Sequence, residues 1–238
     1  LKTFLVKLKH RALLILLVLC ADQALKIWVK THMLYHEERF LIGNWFRLYF
    51  IENEGMAYGW KIGGEWGKMA LTLFRLGAVI FGTWYLAHIV KKKYHPGFII
   101  CAGLIYAGAL GNLIDSLFYG MIFDKGMRFD AALMSQMPYE GLAAFSDKGY
   151  AGFLHGNVVD MLYVPIIDGK MMPSWVPFLG GKPFTFFAPI FNIADAAISI
   201  GVIVILLFQK RFFRQRTEEA IGTTVETSTP VNDETQVL

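Results

Sequence analysis

Proteins that use zinc, iron–sulfur clusters or nucleotides carry recurrent ligand spacings, and this 238-residue sequence has none of them. There is no CxxC pair, no HExxH and no glycine-rich phosphate loop, so no metal site or cofactor is expected. Only 2 cysteines occur, Cys20 and Cys101, and both lie inside apolar runs. They read as packing residues rather than as a disulfide or a metal pair. Charge is scarce as well: 18% of residues are charged against 55% hydrophobic, with mean hydropathy +0.44. That balance excludes an ordinary soluble domain and points to an integral membrane protein. The net charge of +4 does not indicate a nucleic-acid partner, because the cations cluster beside apolar runs and so report membrane topology. No internal repeat is present. With Leu1 as the first residue, an initiator or a few more residues are expected ahead of it.

What is present is a set of apolar runs near the ~20 residues needed to cross the hydrocarbon core. Four are expected to be transmembrane helices, at about 12–29, 69–90, 98–118 and 187–208. They make a membrane domain of residues 1–209, followed at 210–238 by a basic flank and a disordered acidic tail. Lys2, Lys7, Lys9 and Arg11 precede the first run; Lys91, Lys92 and Lys93 follow the second; Lys210, Arg211, Arg214 and Arg216 follow the fourth. The positive-inside rule places both termini in the cytoplasm, so segments 31–67 and 119–186 face outward. An N-terminal signal peptide, even one ending at Cys20, is the other reading of the first run. Leu19 is not a small residue and the run continues to Trp28, which favours a retained helix. Phe40–Ile51 is rich enough in aromatic and β-branched residues for strands, so a small sheet is expected on the outer surface.

Polar residues inside these runs are the informative departures. Asp22, Asp115 and Asp195 each lie in a membrane-length run, where a carboxylate costs roughly 2.5–3.5 kcal/mol on insertion scales. Topology directs all three toward the outer face. With a helix starting at 187, Asp195 would lie about eight residues in, roughly 12 Å deep at 1.5 Å per residue. Asn192 and Asp195 are three apart and share a helix face. Asp160, in the second outer segment, is the partner with which Asp195 would make a carboxylate pair. Two such groups cannot both ionise readily; one keeps a proton, and together they activate water for attack on an amide. Otherwise Asp195 is a buried partner for a lysine or a proton relay in a transporter. Asp22 and Lys26, four apart, read as a structural ion pair. Asn112 and Asp115 are either a polar seam between helices or substrate contacts, with Gly103, Gly108 and Gly111 permitting close helix approach. Asn53 and Gly55, within Asn53–Gly59, form a turn or present an amide to a substrate. His155 is a weak acid–base candidate.

In order, Asp22-Gln23-Ala24-Leu25-Lys26, Asn53-Glu54-Gly55-Met56-Ala57-Tyr58-Gly59, Gly111-Asn112-Leu113-Ile114-Asp115, Val158-Val159-Asp160 and Phe191-Asn192-Ile193-Ala194-Asp195 resemble lipoprotein signal peptidase, also called signal peptidase II. The resemblance covers roughly residues 5–208. It implies a mainly α membrane protein: four transmembrane helices, a small periplasmic β-sheet or cradle and an extended outer loop. It implies an aspartyl endopeptidase of the bacterial cytoplasmic (inner) membrane, with its active site toward the periplasmic face. Such an enzyme removes the signal peptide of diacylglyceryl-modified prolipoproteins, cutting before the lipidated cysteine. Asp160 and Asp195 match the catalytic dyad. Asn53, Gly55, Asn112 and Asn192 match positions that support or contact substrate, and Asp22, Lys26 and Asp115 match structural polar positions. The implied partners are prolipoproteins, membrane lipids and the cyclic peptide globomycin, with the enzyme a monomer. Two departures stand out. The family usually has arginine directly after the third-motif aspartate, where this chain has Ser116; Arg128 is the substitute the sequence offers. Segment 119–156 is also longer than the family norm and is expected to form a lid or a partner surface. The competing readings are a proton-coupled transporter that relays protons through the intramembrane aspartates, and a scaffold protein indifferent to Asp160 and Asp195.

Overall fold

The computed structural model describes residues 2–53, 64–130, 135–177, 180–186 and 189–226. Among them four helices are long and apolar enough to cross a membrane: Ala12–His32, Gly67–Lys91, Pro96–Ile122 and Ile193–Phe213. The first two lie within α1 (Lys2–His32) and α2 (Gly64–Lys91). The third begins as α3 (Pro96–Ile114), with proline in its first turn, where a missing N–H is harmless, and the His95 ring accepting the Gly97 N–H. It then passes through a single π turn, Asp115–Tyr119, into the short α4 (Gly120–Ile122). Such turns recur at functional sites, and this one buries Asp115, Ser116 and Tyr119.

Helix α3 is the axle: α1, α2 and the last helix, α5 (Ile193–Glu226), each pack against it. Bare glycine surface permits this approach. A Cβ added at Gly108 would lie 2.2 Å from the Ala194 carbonyl oxygen, and one at Gly111 2.8 Å from Asp22 Oδ2. The opposite helix faces are apolar and exposed, as hydrocarbon contact requires: Leu16 and Leu17 on α1, Phe74 and Trp84 on α2, Leu206 and Leu207 on α5.

Outside the bundle, strands β1 (Glu38–Ile42) and β2 (Phe46–Asn53) form the expected pair. Further on come the hairpin of β3 (Arg128–Asp130) with β4 (Ser135–Met137), then β5 (Val158–Tyr163), then the hairpin of β6 (Ile167–Met171) with β7 (Pro183–Phe186), and β8 (Ile190–Phe191). The main sheet is antiparallel in the order β1-β2-β5-β8. It is cemented to the end of α1 by a core of Val29, Met33, Leu48, Phe50, Val159 and Met161, joined by Tyr119, Phe123, Ala143 and Tyr150. All four belong to the long outer segment that begins at residue 119, which thus packs under the sheet as a folded wall.

Two expected boundaries need correction. The fourth helix begins at Ile193, not at 187; residues 187–188 lie outside the described ones, and Ile190 and Phe191 pair with Tyr163 and Leu162 of β5. An apolar run has the same composition as buried strand or helix, and Pro189 interrupts this one. Asp195 therefore lies in the first helical turn rather than eight residues deep. The first span begins at Ala12, as expected, and α1 runs on ahead of it to Lys2. Finally, α5 continues to Glu226 through a stretch expected to be disordered; Glu218, Glu219 and Ala220 are good helix formers that a charge-based reading passes over.

Close packing at Gly108 gives a direct test. Gly108→Ala must displace backbone, at about 1–3 kcal/mol. At Gly103 the nearest atom to an added Cβ is Ile15 Cγ1 at 3.5 Å, an ordinary contact. Thermal unfolding in detergent should show a lowered midpoint for Gly108→Ala and none for Gly103→Ala.

Candidate active site

The site is built around one ammonium group. Asp22 and Lys26 sit one turn apart on α1, and Lys26 is 0% exposed. An ammonium has three protons to donate. Lys26 Nζ has three acceptors: Asp22 Oδ2 at 2.9 Å, Asp115 Oδ2 at 2.8 Å and Asn112 Oδ1 at 2.9 Å. Gln23 donates from Nε2 to Asp115 Oδ1 at 2.9 Å and accepts from the Tyr119 hydroxyl at 3.1 Å. The ion pair expected within α1 is thus a triad that clamps α1 to α3.

The same groups build the start of α5. A helix leaves its first N–H groups without intrahelical partners. Asp22 Oδ1 accepts the Ala194 N–H at 2.9 Å, and Asn192 Oδ1 accepts the Asp195 N–H at 2.9 Å. Asn192 is the N-cap, in the side-chain pattern that stabilises helix starts by about 1 kcal/mol. Its amide nitrogen faces the other way and donates to Asp160 Oδ1 at 2.7 Å, Asn112 Oδ1 at 3.1 Å and the Val159 carbonyl at 3.3 Å. Asn112 Nδ2 in turn donates to Asp195 Oδ1 at 2.7 Å. Two asparagines therefore hold two aspartates, one from the sheet and one from the helix.

Asp160 is placed by β5, where it pairs with Ile51 of β2. Asn53, two residues along β2, donates to Asp160 Oδ2 at 3.4 Å. Asp160 is buried and Asp195 half-buried. Burial, and next the neighbouring Asp195 charge, push the Asp160 carboxyl up to about 7, against the opposing pull of Lys26 and the amide donors. Among the described residues, no group of three or more His, Cys, Asp or Glu side chains is arranged to hold a metal ion.

The remaining candidates divide. Gly55 lies outside the described residues. His155 turns Nδ1 toward the Phe153 carbonyl at 2.8 Å. Arg128 is an exposed residue of β3, and it is Arg75 of α2 whose Nη1 donates to Ser116 Oγ at 2.8 Å.

Two polar groups escaped the sequence reading. One is a buried ion pair of Lys30 with Glu52, beside Asn53, in which Glu52 also accepts from the Met127 N–H at 2.9 Å, Asn157 Nδ2 at 2.8 Å and the Tyr139 hydroxyl at 2.9 Å. It bolts the outer segment to β2. The other is a polar stripe on α2: Lys68, Thr72 and Arg75, at i, i+4 and i+7. Lys68 donates to Asn157 Oδ1, Thr72 to the Leu154 carbonyl at 3.0 Å, and Arg75 to Ser116. The helical spacing was visible in the sequence, and an arginine in hydrocarbon is itself a signal.

Comparison with known proteins places the chain among related sequences. The family model described as Signal peptidase (SPase) II matches residues 14–211. A lipoprotein signal peptidase of Porphyromonas gingivalis is 44% identical over 201 residues, covering 84% of this chain and 82% of that protein. One from Amoebophilus asiaticus is 33% identical over 216 residues, covering 90% and 83%. In structure, the chain resembles a bacterial membrane enzyme solved by the in meso method at 2.3 Å resolution, with TM-score 0.51, 21% identity and coverage of 96% and 95%.

The clamp predicts an asymmetry. Lys26→Met leaves Asp22 and Asp115 buried without their cation, and breaking a buried pair from one side costs about 3–5 kcal/mol. The variant is expected to lose its cooperative thermal transition in detergent or to be degraded in cells. Lys26→Arg, which keeps the charge, should retain more of the transition.

Proposed function

The chain belongs to the signal peptidase II family, and from that premise we propose that it is an intramembrane aspartyl endopeptidase with Asp160 and Asp195 as its catalytic dyad. It is a multi-pass bacterial membrane protease of a lipoprotein-processing family. Its substrates, on this reading, are diacylglyceryl-modified prolipoproteins, cut on the N-terminal side of the lipidated cysteine. The supporting observation is the asparagine network that holds both carboxyl groups at the junction of sheet and bundle.

The reaction needs one proton on the pair. Asp160, buried and raised to about 7, retains it; Asp195, half-exposed, takes a proton from the attacking water. Asp160 then polarises the scissile carbonyl and later protonates the leaving amine. The signal helix enters from the lipid among α1, α3 and α5, with its acyl chains left in the bilayer. The sheet lies over the scissile bond. Asn53, beside Asp160, lines the approach.

Basic residues at Lys91–Lys93 and Lys210–Arg211 favour cytoplasmic termini and a dyad at the periplasmic face of the inner membrane. The enzyme works as a monomer, and globomycin-type cyclic peptides compete for the dyad. Polar groups collected where the sheet meets α3 and α5, rather than spread through the bilayer, speak against a proton-relaying transporter.

Asp160→Asn and Asp195→Asn should each lower cleavage of a lipidated precursor by on the order of 10²–10⁴-fold. Gel mobility of the precursor reads the loss, and an unchanged thermal midpoint shows that the fold survives. A fully active Asp195→Asn enzyme would rule out the dyad. The pH dependence carries a sign. Asp160 lies above the ordinary carboxyl value of 3.8, so its proton is held below about pH 7 and lost as pH rises through it. Cleavage is expected to decline on that alkaline side. The same group's contribution to stability, present below pH 3.8, is lost over the same rise toward 7.

A further inference from the structure

Helices α1 and α2 both pack on α3, and a gap remains between them. It is a groove of about 270 Å³, bordered by Ala12 and Ile15 of α1, Ala87 and Val90 of α2, and Gly103 and Tyr106 of α3. Small residues make the hollow: Ala12 and Ala87 are exposed, and Gly103 offers it bare backbone. All of it lies within the spans Ala12–His32, Gly67–Lys91 and Pro96–Ile122, so it opens onto hydrocarbon. The substrate path proposed above runs among α1, α3 and α5, whereas no described residue of α5 borders this groove.

The walls suit an apolar chain. Thr83 and Tyr106 bring the only side-chain polar groups. Thr83 Oγ1 donates to the Val79 carbonyl at 2.8 Å and accepts from the Tyr106 hydroxyl at 3.0 Å. Both O–H groups are thus used within the protein, and no hydroxyl proton is left for a polar occupant. From Thr83 to Val90 the α2 wall is roughly 10 Å long at 1.5 Å per residue, and the α3 wall from Ile99 to Tyr106 matches it.

One end of the groove is charged. Val90 is followed by Lys91, Lys92 and Lys93, all exposed. The turn that carries them has a fixed shape. Lys93 has φ +53°, its N–H goes to the Val90 carbonyl at 3.1 Å and the Tyr94 N–H to the Ile89 carbonyl at 3.0 Å, the paired bonds that close a helix end. Among the described residues no carboxylate pairs with any of the three lysines. In sequence, Arg11 directly precedes Ala12 of the opposite wall. An apolar slot between membrane helices that ends in unpaired ammonium groups is complementary to a lipid with a negative head.

We propose that this groove is a binding site for an anionic phospholipid, with one acyl chain along α3 between α1 and α2 and the phosphate at Lys91–Lys93. The bound lipid braces α1 and α2 at the end of the bundle remote from the Lys26 clamp, which lies roughly 20 Å along α1 from Ala12. The inference needs only the span assignment and does not depend on the dyad.

Thermal unfolding of the full chain in detergent tests it, because a ligand of the folded state raises the midpoint. Phosphatidylglycerol is expected to raise it by about 3–6 °C at lipid well above its Kd. Phosphatidylcholine with the same acyl chains should raise it far less, and glycerol phosphate, a head without chains, not at all. Replacing the three lysines together (Lys91→Gln, Lys92→Gln, Lys93→Gln) should weaken binding by on the order of 100-fold and abolish the preference for the anionic lipid. Ala87→Phe, which fills the groove and keeps every lysine, should abolish the rise as well. Should Ala87→Phe fail to fold, Ala12→Phe blocks the same groove from α1 and decides instead. Equal rises with the two phospholipids, or a rise with glycerol phosphate alone, overturn the proposal. So does a lysine variant that keeps the preference. A groove-filled variant that still responds to phosphatidylglycerol shows mere attraction to a basic turn and overturns it too.

Discussion

An ammonium group sealed away from water must find an acceptor for every proton, and Lys26 organises the molecule by doing so. Its three acceptors come from α1, from α3 and from the π turn that follows α3. An isolated charge in hydrocarbon would be intolerable, whereas one fully bonded draws helices into a single arrangement. The glycines of α3 are the steric counterpart: at Gly108 and Gly111 the neighbouring helices come within the space a methyl group would fill. Electrostatic demand and bare backbone thus select the same packing.

From that clamp the site follows with few independent parts. Asp22, already bound to Lys26, also receives an N–H of α5. Asn112, also bound to Lys26, holds Asp195. Asn192 caps the helix with its oxygen and holds Asp160 with its nitrogen. Each side chain serves the fold and the site at once. The sheet is bound in through a second sealed pair, Lys30 with Glu52, one residue before Asn53. The long outer segment contributes Tyr139, the Met127 backbone and Asn157 to that pair, so it braces β2 from behind.

Much of this was legible in the sequence, for reasons that differ by residue. Helix number was readable because apolar length is a one-dimensional property. Asp22, Lys26, Asn112 and Asp115 were readable because strongly polar side chains in hydrocarbon are rare and their helical spacing is local. The start of α5 was not, because apolar strand and apolar helix look alike until pairing with β5 is known. Lys30 and Glu52 were hidden because each sits beside a span boundary, where charge is ordinary. Arg75 was overlooked although its spacing from Lys68 and Thr72 was in plain view. Its significance appears only when Ser116, 41 residues away, is seen opposite it.

The bond between Asp22 and the Ala194 N–H joins positions 172 residues apart. Everything from α1 to the first turn of α5 must be made before that contact can exist. A ribosome delivering this protein would first release α1, α2 and α3 into the bilayer, with Lys26 already shielding Asp22 and Asp115 from lipid. The half-built bundle then still lacks Asp195 and the asparagine that caps its helix. Only when the last helix arrives is its first turn seized, capped and pointed at Asp160. The polar junction between sheet and bundle is thereby incomplete until the start of α5 has been made.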